Sequence, residues 1–167
     1  YNTSYICNKL NIKFIHISTD YVFDGMSQPN YPDSVKNPLQ NYGISKLISE
    51  YRVINNCCTN YAIIRTPVLY SKLSRIHNNA VTLIGKNLMN LKNKTFVEDN
   101  YSIRRPLFIP DLCKFIYNCL EDTYHGIYHF YNPYNKFTKF EVCNKIADII
   151  GISNDKIVAN NKKSSGI

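Results

Sequence analysis

Residues Ile12-Lys13-Phe14-Ile15-His16-Ile17 form a short β-branched and aromatic run that stops at once on the polar break Ser18-Thr19-Asp20-Tyr21-Val22-Phe23-Asp24-Gly25. A run of that composition suits a strand covered on both faces, the environment of a parallel sheet. Strand, hydroxyl-bearing end, loop and then helix is the order of a doubly wound α/β sheet, in which ligands collect beyond the carboxyl ends of the strands. Thr19 is therefore expected at a crevice, facing the start of the next helix.

The same alternation runs on through the chain. A loop from Ser27 to Asn41, dense in proline at Pro29, Pro32 and Pro38, leads to a helix from about Gly43 to Asn55 whose inward stripe reads Leu47, Ile48, Tyr51 and Ile54. Tyr61 to Arg65 reads as the next strand, ended by Thr66-Pro67. Asn79 to Leu91 is a helix, Lys94 to Val97 a short strand, and Gly126 to Phe130 another strand. Pro110-Asp111-Leu112 opens a helix with proline in its first turn and an acid at the positive end of the dipole, burying Phe115, Ile116, Cys119 and Leu120. Thr138 and Glu141 make a capping box for a last helix, Phe140 to Ile150, ended by Gly151.

Within this frame Tyr42 and Lys46 stand four residues apart at the opening of a helix. That spacing puts them on one face, with Cβ atoms roughly 5–6 Å apart. An ammonium beside a phenol stabilises phenolate, which suits Tyr42 to give and take a proton. The plainer reading of a tyrosine and a lysine at this spacing is a solvated helix surface, and the hydroxyl-bearing strand end upstream is what argues against it.

The remaining composition excludes several classes. At 167 residues the chain is long enough for a domain with a sizeable core. Every apolar run is broken short of the roughly 18–20 residues that a membrane span needs, so the expectation is a soluble, cytoplasmic protein with no membrane association. Cys7, Cys57, Cys58, Cys113, Cys119 and Cys143 show no paired Cys-x-x-Cys spacing and read as buried reduced thiols. His125 and His129 lie four apart, but Gly126 to Phe130 reads as a strand, which sends successive side chains to opposite faces, and no metal site is expected. The formal charge of +8 invites a nucleic-acid reading, yet the lysines are dispersed and only Asn160 to Lys163 resembles a basic tail. No nucleic-acid partner is expected, and a positive field serves equally to recruit an anionic substrate.

STDYVFDG followed by PLQNYGISKLISE resembles the extended short-chain dehydrogenase/reductases, and within them the dTDP-4-dehydrorhamnose reductase family, which includes the regulatory β subunit of methionine adenosyltransferase. Ala62 to Tyr70 is similar to the family's next strand and exit loop, and Arg104-Arg105-Pro106 through Asp111-Leu112 to its later substrate-side loop and helix. The resemblance implies the C-terminal part of a Rossmann-like doubly wound sheet, over residues 1–70, plus a small α/β substrate-binding lobe, mainly 71–167 and interleaved with the sheet. It implies catalytic roles for Thr19, Tyr42 and Lys46, cofactor contacts from Ser18, Tyr42, Lys46 and Pro67, and substrate contacts from Asp20, Tyr21 and Arg104.

The implied activity is NADPH- or NADH-dependent reduction of a nucleotide-linked 4-keto-6-deoxy sugar, with a homodimer as the candidate assembly. The alternative is a non-catalytic NADP-binding regulatory subunit. Arg104 aligns with an arginine that contacts the diphosphate in related epimerases; its plainer reading is a surface arginine without a partner, with Arg105 as the neighbour that points inward. Two departures stand out. The six glycines contain no G-x-x-G-x-x-G, so the pyrophosphate and adenosine parts of the cofactor site are missing and the chain is expected to be a fragment starting in mid-fold, inactive alone. The family's sugar-side tryptophan is also absent, since the chain has none.

Overall fold

The computed structural model describes residues 2–26, 29–57, 60–72, 79–91, 94–121 and 123–162. The elements in order are helix α1 (Asn2–Lys9), strand β1 (Phe14–Thr19), a 3-10 turn (Asp20–Val22), α2 (Asn41–Cys57), β2 (Tyr61–Thr66), β3 (Leu69–Tyr70), α3 (Ala80–Met89), β4 (Phe96–Asp99), β5 (Leu107–Phe108), α4 (Ile109–Asn118), β6 (Gly126–His129), α5 (Lys139–Ile150), a second 3-10 turn (Asn154–Lys156) and β7 (Ile157–Asn160). This is a mixed α/β chain whose strand ladders are all parallel. The chain divides into two compact units, one built from the described residues up to Pro67 with Pro110–Tyr131, the other from Val68–Ile109 with the described residues from Asn132 on.

The first unit is organised on a sheet of order β1-β2-β6. β2 is its central strand, and Ala62, Ile63 and Ile64 are fully buried there, as a strand covered on both faces requires. Helix α2 packs on β1, with α1 against it, and Val53 and Cys57 close over Ile63 with Phe14, Ile54, Tyr61 and Ile127 around them. An aromatic group formed by Phe115 of α4 with Tyr124, Tyr128 and Phe130 packs beside β6, Phe115 and Phe130 stacking at 4.4 Å.

In the second unit β3 pairs with β5 and β4 with β7. Its core gathers Leu88 of α3, Cys143 and Ala147 of α5, and Ile157 of β7. Asn79 caps α3 by accepting from the Thr82 N–H, and the Thr138/Glu141 capping box starts α5, which ends on Gly151 at φ 71°. That left-handed conformation is the one glycine adopts without a Cβ penalty.

The sequence pattern fails in four places. The buried face of α2 is Gly43, Glu50, Val53 and Cys57, while Ile48 and Tyr51 are about half exposed. The helix turns inward the face that delivers a carboxylate to the sheet, so its apolar side chains are spread around it. In α4, Leu112 takes the core position, and of the two residues just past the helix end Cys119 is buried and Leu120 is 59% exposed. Cys113 is exposed on the same helix, so the thiols are not uniformly buried. Finally, Asn160 belongs to β7, where it pairs with Asp99, rather than to a tail; Lys163 lies outside the described residues, as does Cys58.

Candidate functional site

The carboxyl end of β1 and the first turns of α2 meet at one corner of the first unit. Thr19 is the last residue of β1 and is 5% exposed; its hydroxyl accepts from the Tyr21 N–H at 3.2 Å and donates to the Asp20 carboxylate at 3.2 Å. Tyr21 in turn meets the ring of Tyr42 edge-on, with centroids 6.1 Å apart. Lys46, one helical turn beyond Tyr42, reaches back to β1 and donates from Nζ to the Ile17 carbonyl at 2.6 Å. Thr19, Tyr21, Tyr42 and Lys46 are thus brought together, with the Tyr42 ring half exposed.

The approach depends on Gly43. A Cβ at that position would stand 2.2 Å from the Tyr21 carbonyl oxygen and 3.0 Å from Pro38 Cβ. Only a residue without a side chain lets the first turn of α2 rest against the backbone of the 20–22 turn, and that contact sets where Tyr42 sits.

Behind the corner lies a buried polar row. The strand register sets Ser18, Arg65 and His129 abreast across β1, β2 and β6. Glu50 of α2 accepts from Arg65 Nε at 3.0 Å and from Nη2 at 2.7 Å, and also from the Ser18 hydroxyl. Both side chains of the ion pair are at most 2% exposed. Arg65 Nη1 donates to the Pro32 carbonyl at 2.9 Å and lies 3.1 Å from His129 Nε2, while the guanidinium covers the Phe23 ring at 5.2 Å. Burial, reinforced by the Arg65 charge, holds the His129 imidazole below its ordinary 6.5. His16, on β1, is shifted the same way by burial and then by Lys46, and its Nε2 is buried without a partner.

The other residues singled out in the sequence fall as follows. Pro67 directly follows β2 and is half-buried. Asp20 is exposed in the 3-10 turn. Arg104 belongs to the second unit, where its backbone bridges Phe137 and its guanidinium lies 4.0 Å from the Asp99 carboxylate; it has a partner, contrary to its plainer reading. Arg105 donates to the Pro133 carbonyl. No group of three or more His, Cys, Asp or Glu among the described residues is arranged to hold a metal ion, and no described helix is long and apolar enough to cross a membrane.

Two features were missed by reading the sequence for chemistry, the Glu50 carboxylate and the Arg65–His129 contact. A signal for the first was present. Arg65 sits in an apolar strand whose charge has to be matched, and Glu50 is the only acidic residue in α2.

Comparison with known proteins adds the following. The family model of the RmlD substrate binding domain matches residues 2–165. Methionine adenosyltransferase 2 subunit beta of Xenopus tropicalis is 34% identical over 143 residues, covering 83% of this chain and 42% of that protein. A dTDP-4-keto-6-deoxy-D-glucose reductase of Streptomyces niveus is 38% identical over 68 residues, covering 40% of this chain and 24% of that protein. Among solved structures, dTDP-4-dehydrorhamnose reductase of Bacillus anthracis in complex with NADP superposes with a TM-score of 0.83 at 26% identity, covering 96% of this chain and 55% of that one. The chain spans about half the length of the Xenopus and Bacillus proteins it matches, 42% and 55%.

Proposed function

The chain belongs to the RmlD substrate binding domain family, and on that premise we propose that it carries the proton-transfer part of an NAD(P)H-dependent reductase acting on a nucleotide-linked 4-keto-6-deoxy sugar. The observation that carries this reading is the meeting of Thr19, Tyr42 and Lys46 at the carboxyl end of β1. That is where ligands collect on a parallel sheet.

The donor set suits the nicotinamide end of the cofactor. Lys46 spends one of its three N–H donors on Ile17, which fixes the ammonium and leaves two donors for the ribose hydroxyls. Pro67, at the end of the neighbouring strand, borders the same end of the sheet. The chain holds no glycine-rich turn for the pyrophosphate, so the adenosine end of the cofactor has no matching residues in it. When bound, the nicotinamide supplies the hydride for the C4 ketone.

The side chains then divide the remaining work. Tyr42 gives its hydroxyl proton to the ketone oxygen as negative charge develops there, a contribution of about 10²–10⁴-fold. Lys46 stabilises the phenolate left behind and is held in place by its bond to the strand. Thr19 turns its hydroxyl hydrogen from Asp20 to the ketone oxygen, adding a fixed dipole where charge builds up. Ser18 supports this end of β1 through Glu50, and Asp20 and Tyr21 border the substrate. Within the second unit, Arg104 carries a planar fork of the kind that suits phosphate oxygens, beside the Asp99 carboxylate.

The test is twofold. NADPH and NADH are titrated into the protein and followed by nicotinamide fluorescence, and turnover of a panel of nucleotide-linked 4-keto-6-deoxyhexoses is then measured for wild type and Tyr42→Phe in an intact enzyme that also carries the glycine-rich half. Collapse of turnover with cofactor affinity retained supports the assignment, and turnover retained by Tyr42→Phe refutes it.

A second reading has its own support, because the relatives named methionine adenosyltransferase 2 subunit beta match twice as much of the chain as the Streptomyces reductase does. On that reading the corner binds NADP(H) and the protein serves as a regulatory subunit. Cofactor binding with no reduction of any sugar in the panel, together with co-purification of a synthetase partner, decides for it.

A further inference from the structure

We propose that Arg65 and Ser18 are positioning residues for Lys46: by filling the Glu50 carboxylate they keep it from capturing the ammonium one helical turn away. The use made of Lys46 rests on the reaction assigned above, whereas the geometry that holds it does not.

Lys46 and Glu50 stand four residues apart on α2, the spacing at which opposite charges pair along a helix. Both side chains turn to the same stretch of β1. Lys46 Nζ donates to the Ile17 carbonyl at 2.6 Å, and the Glu50 carboxylate accepts from the hydroxyl of Ser18, the next residue. Neighbouring residues of a strand are about 3.8 Å apart at Cα, so the ammonium and the carboxylate arrive at adjacent points. They do not pair there. Among the described residues Glu50 forms its ion pair with Arg65, and Lys46 is in none.

The carboxylate is already occupied. Its Oε1 accepts from Ser18 and from Arg65 Nε at 3.0 Å, and its Oε2 accepts from Arg65 Nη2 at 2.7 Å. A guanidinium meets a carboxylate with two parallel bonds, while an ammonium offers a point charge on a flexible stem, so Arg65 prevails in the contest for Glu50. The Pro32 carbonyl and the Phe23 ring hold the guanidinium from its other sides and keep the fork aimed at Glu50.

Lys46 is therefore left to a neutral acceptor. The Ile17 carbonyl fixes the ammonium without cancelling its charge and takes one of its three donors. That is the state the reaction requires, a full positive charge near Tyr42 with donors left for a ligand. Bound to Glu50 instead, the ammonium would be neutralised and drawn toward a carboxylate that is 1% exposed, away from the corner.

Removing either guard changes the contest. In Arg65→Met the carboxylate keeps only the Ser18 hydroxyl and is a buried charge without a counter-charge, with a cation one turn away on its own helix. A bond between opposite charges outweighs one to a neutral carbonyl, so Nζ leaves Ile17 for Glu50. In Ser18→Ala the Arg65 fork stays and Oε1 has room for one more donor, so Lys46 divides between the two acceptors. The double variant Arg65→Met/Glu50→Gln has no carboxylate to offer, and Lys46 returns to Ile17.

Nuclear magnetic resonance on the full chain, with isotopically labelled nitrogen and carbon, tests this, because the scalar coupling across a hydrogen bond runs from Lys46 Nζ to the carbon of its acceptor. Wild type is expected to show the coupling to the Ile17 carbonyl carbon and none to the Glu50 carboxylate carbon. Arg65→Met is expected to show the reverse, and Arg65→Met/Glu50→Gln to regain the coupling to Ile17. In an intact enzyme that also carries the glycine-rich half, kcat is expected to follow the coupling, falling about 10²-fold in Arg65→Met, the low end of a proton-transfer contribution, and recovering most of that loss in the double variant. Removing a second group does not repair the loss of a merely structural support. A wild-type coupling to Glu50 overturns the proposal, as does an Arg65→Met variant still coupled to Ile17 or a double variant that does not regain that coupling. Should Arg65→Met not fold, Ser18→Ala decides, a coupling to Glu50 supporting the proposal and its absence overturning it. The couplings need no turnover, so an intact enzyme that reduces no sugar in the panel counts against the reaction and leaves these outcomes to decide the positioning.

Discussion

Glu50→Gln isolates the interaction on which the first unit depends. The wild-type carboxylate accepts three hydrogen bonds, two from the Arg65 fork at 3.0 and 2.7 Å and one from Ser18. Glutamine keeps the shape but offers one oxygen and one NH2 group, so one arm of the fork meets a donor and the Arg65 charge loses its counter-charge. Arg65 is almost fully buried and does not deprotonate at any working pH. Removing one member of a buried pair costs about 3–5 kcal/mol. The lower end is expected here, because the Pro32 carbonyl and the Phe23 face continue to hold the guanidinium.

With a urea m-value of about 2 kcal/mol/M, a loss of about 3 kcal/mol moves the midpoint down by about 1.5 M. The transition is read by far-ultraviolet circular dichroism. The companion double variant Glu50→Leu/Arg65→Met removes both charges and is expected to be more stable than Glu50→Gln, despite leaving the Pro32 carbonyl without its donor. A cost below about 1 kcal/mol for Glu50→Gln, in the range of exposed ion pairs, would show that water shares the site and would refute the reasoning.

Other outcomes follow from the same geometry. Gly43→Ala forces the first turn of α2 away from Tyr21 and, in an intact enzyme with the proposed activity, is expected to lower turnover by about 10²-fold, the cost of misplacing a reacting group by about 1 Å; unaltered kcat with unaltered cofactor affinity refutes the positioning role of this contact. In urea the same variant loses about 1–3 kcal/mol to overpacking and regains up to about 1 kcal/mol of helix propensity. Thr138→Ala removes the capping box of α5 and is expected to cost about 1 kcal/mol, measured as a shift in urea midpoint. Thiol labelling in native buffer is expected to modify Cys113 first, while Cys143, fully buried and with its thiol pushed up to about 12 by burial, reacts only on unfolding. His16 and His129 are both held below 6.5, so the unfolded chain binds more protons than the folded one just under that value. Stability is therefore complete above pH 6.5 and declines as pH falls through the folded-state values, and His129→Gln is expected to flatten part of that slope in urea titrations.

How far the sequence could be read depended on which physical term decided each element. β2 was legible because Ala62, Ile63 and Ile64 are buried on both sides, and α5 because Thr138, Glu141 and Gly151 state its two ends. β7 was not. Only Ile157 of its four residues is buried, and what makes it a strand is parallel pairing with β4, some sixty residues earlier in the chain, a contact with no local signature.

The inward face of α2 was misread for a different reason. Periodicity counts apolar residues, and on that count Ile48 and Tyr51 outweigh Glu50. Burial follows the most demanding group instead, and here that is a charge inside a strand. Arg65 cannot be left unmatched among Ile63, Ile64 and Thr66, so the helix crossing the sheet is turned to bring Glu50 down, and two apolar side chains are given up to solvent in exchange. Tyr42 and Lys46 lie two turns and one turn before Glu50 on the same helix. The rotation that answers the charge of Arg65 is therefore the rotation that brings Lys46 to Ile17 and Tyr42 to Tyr21.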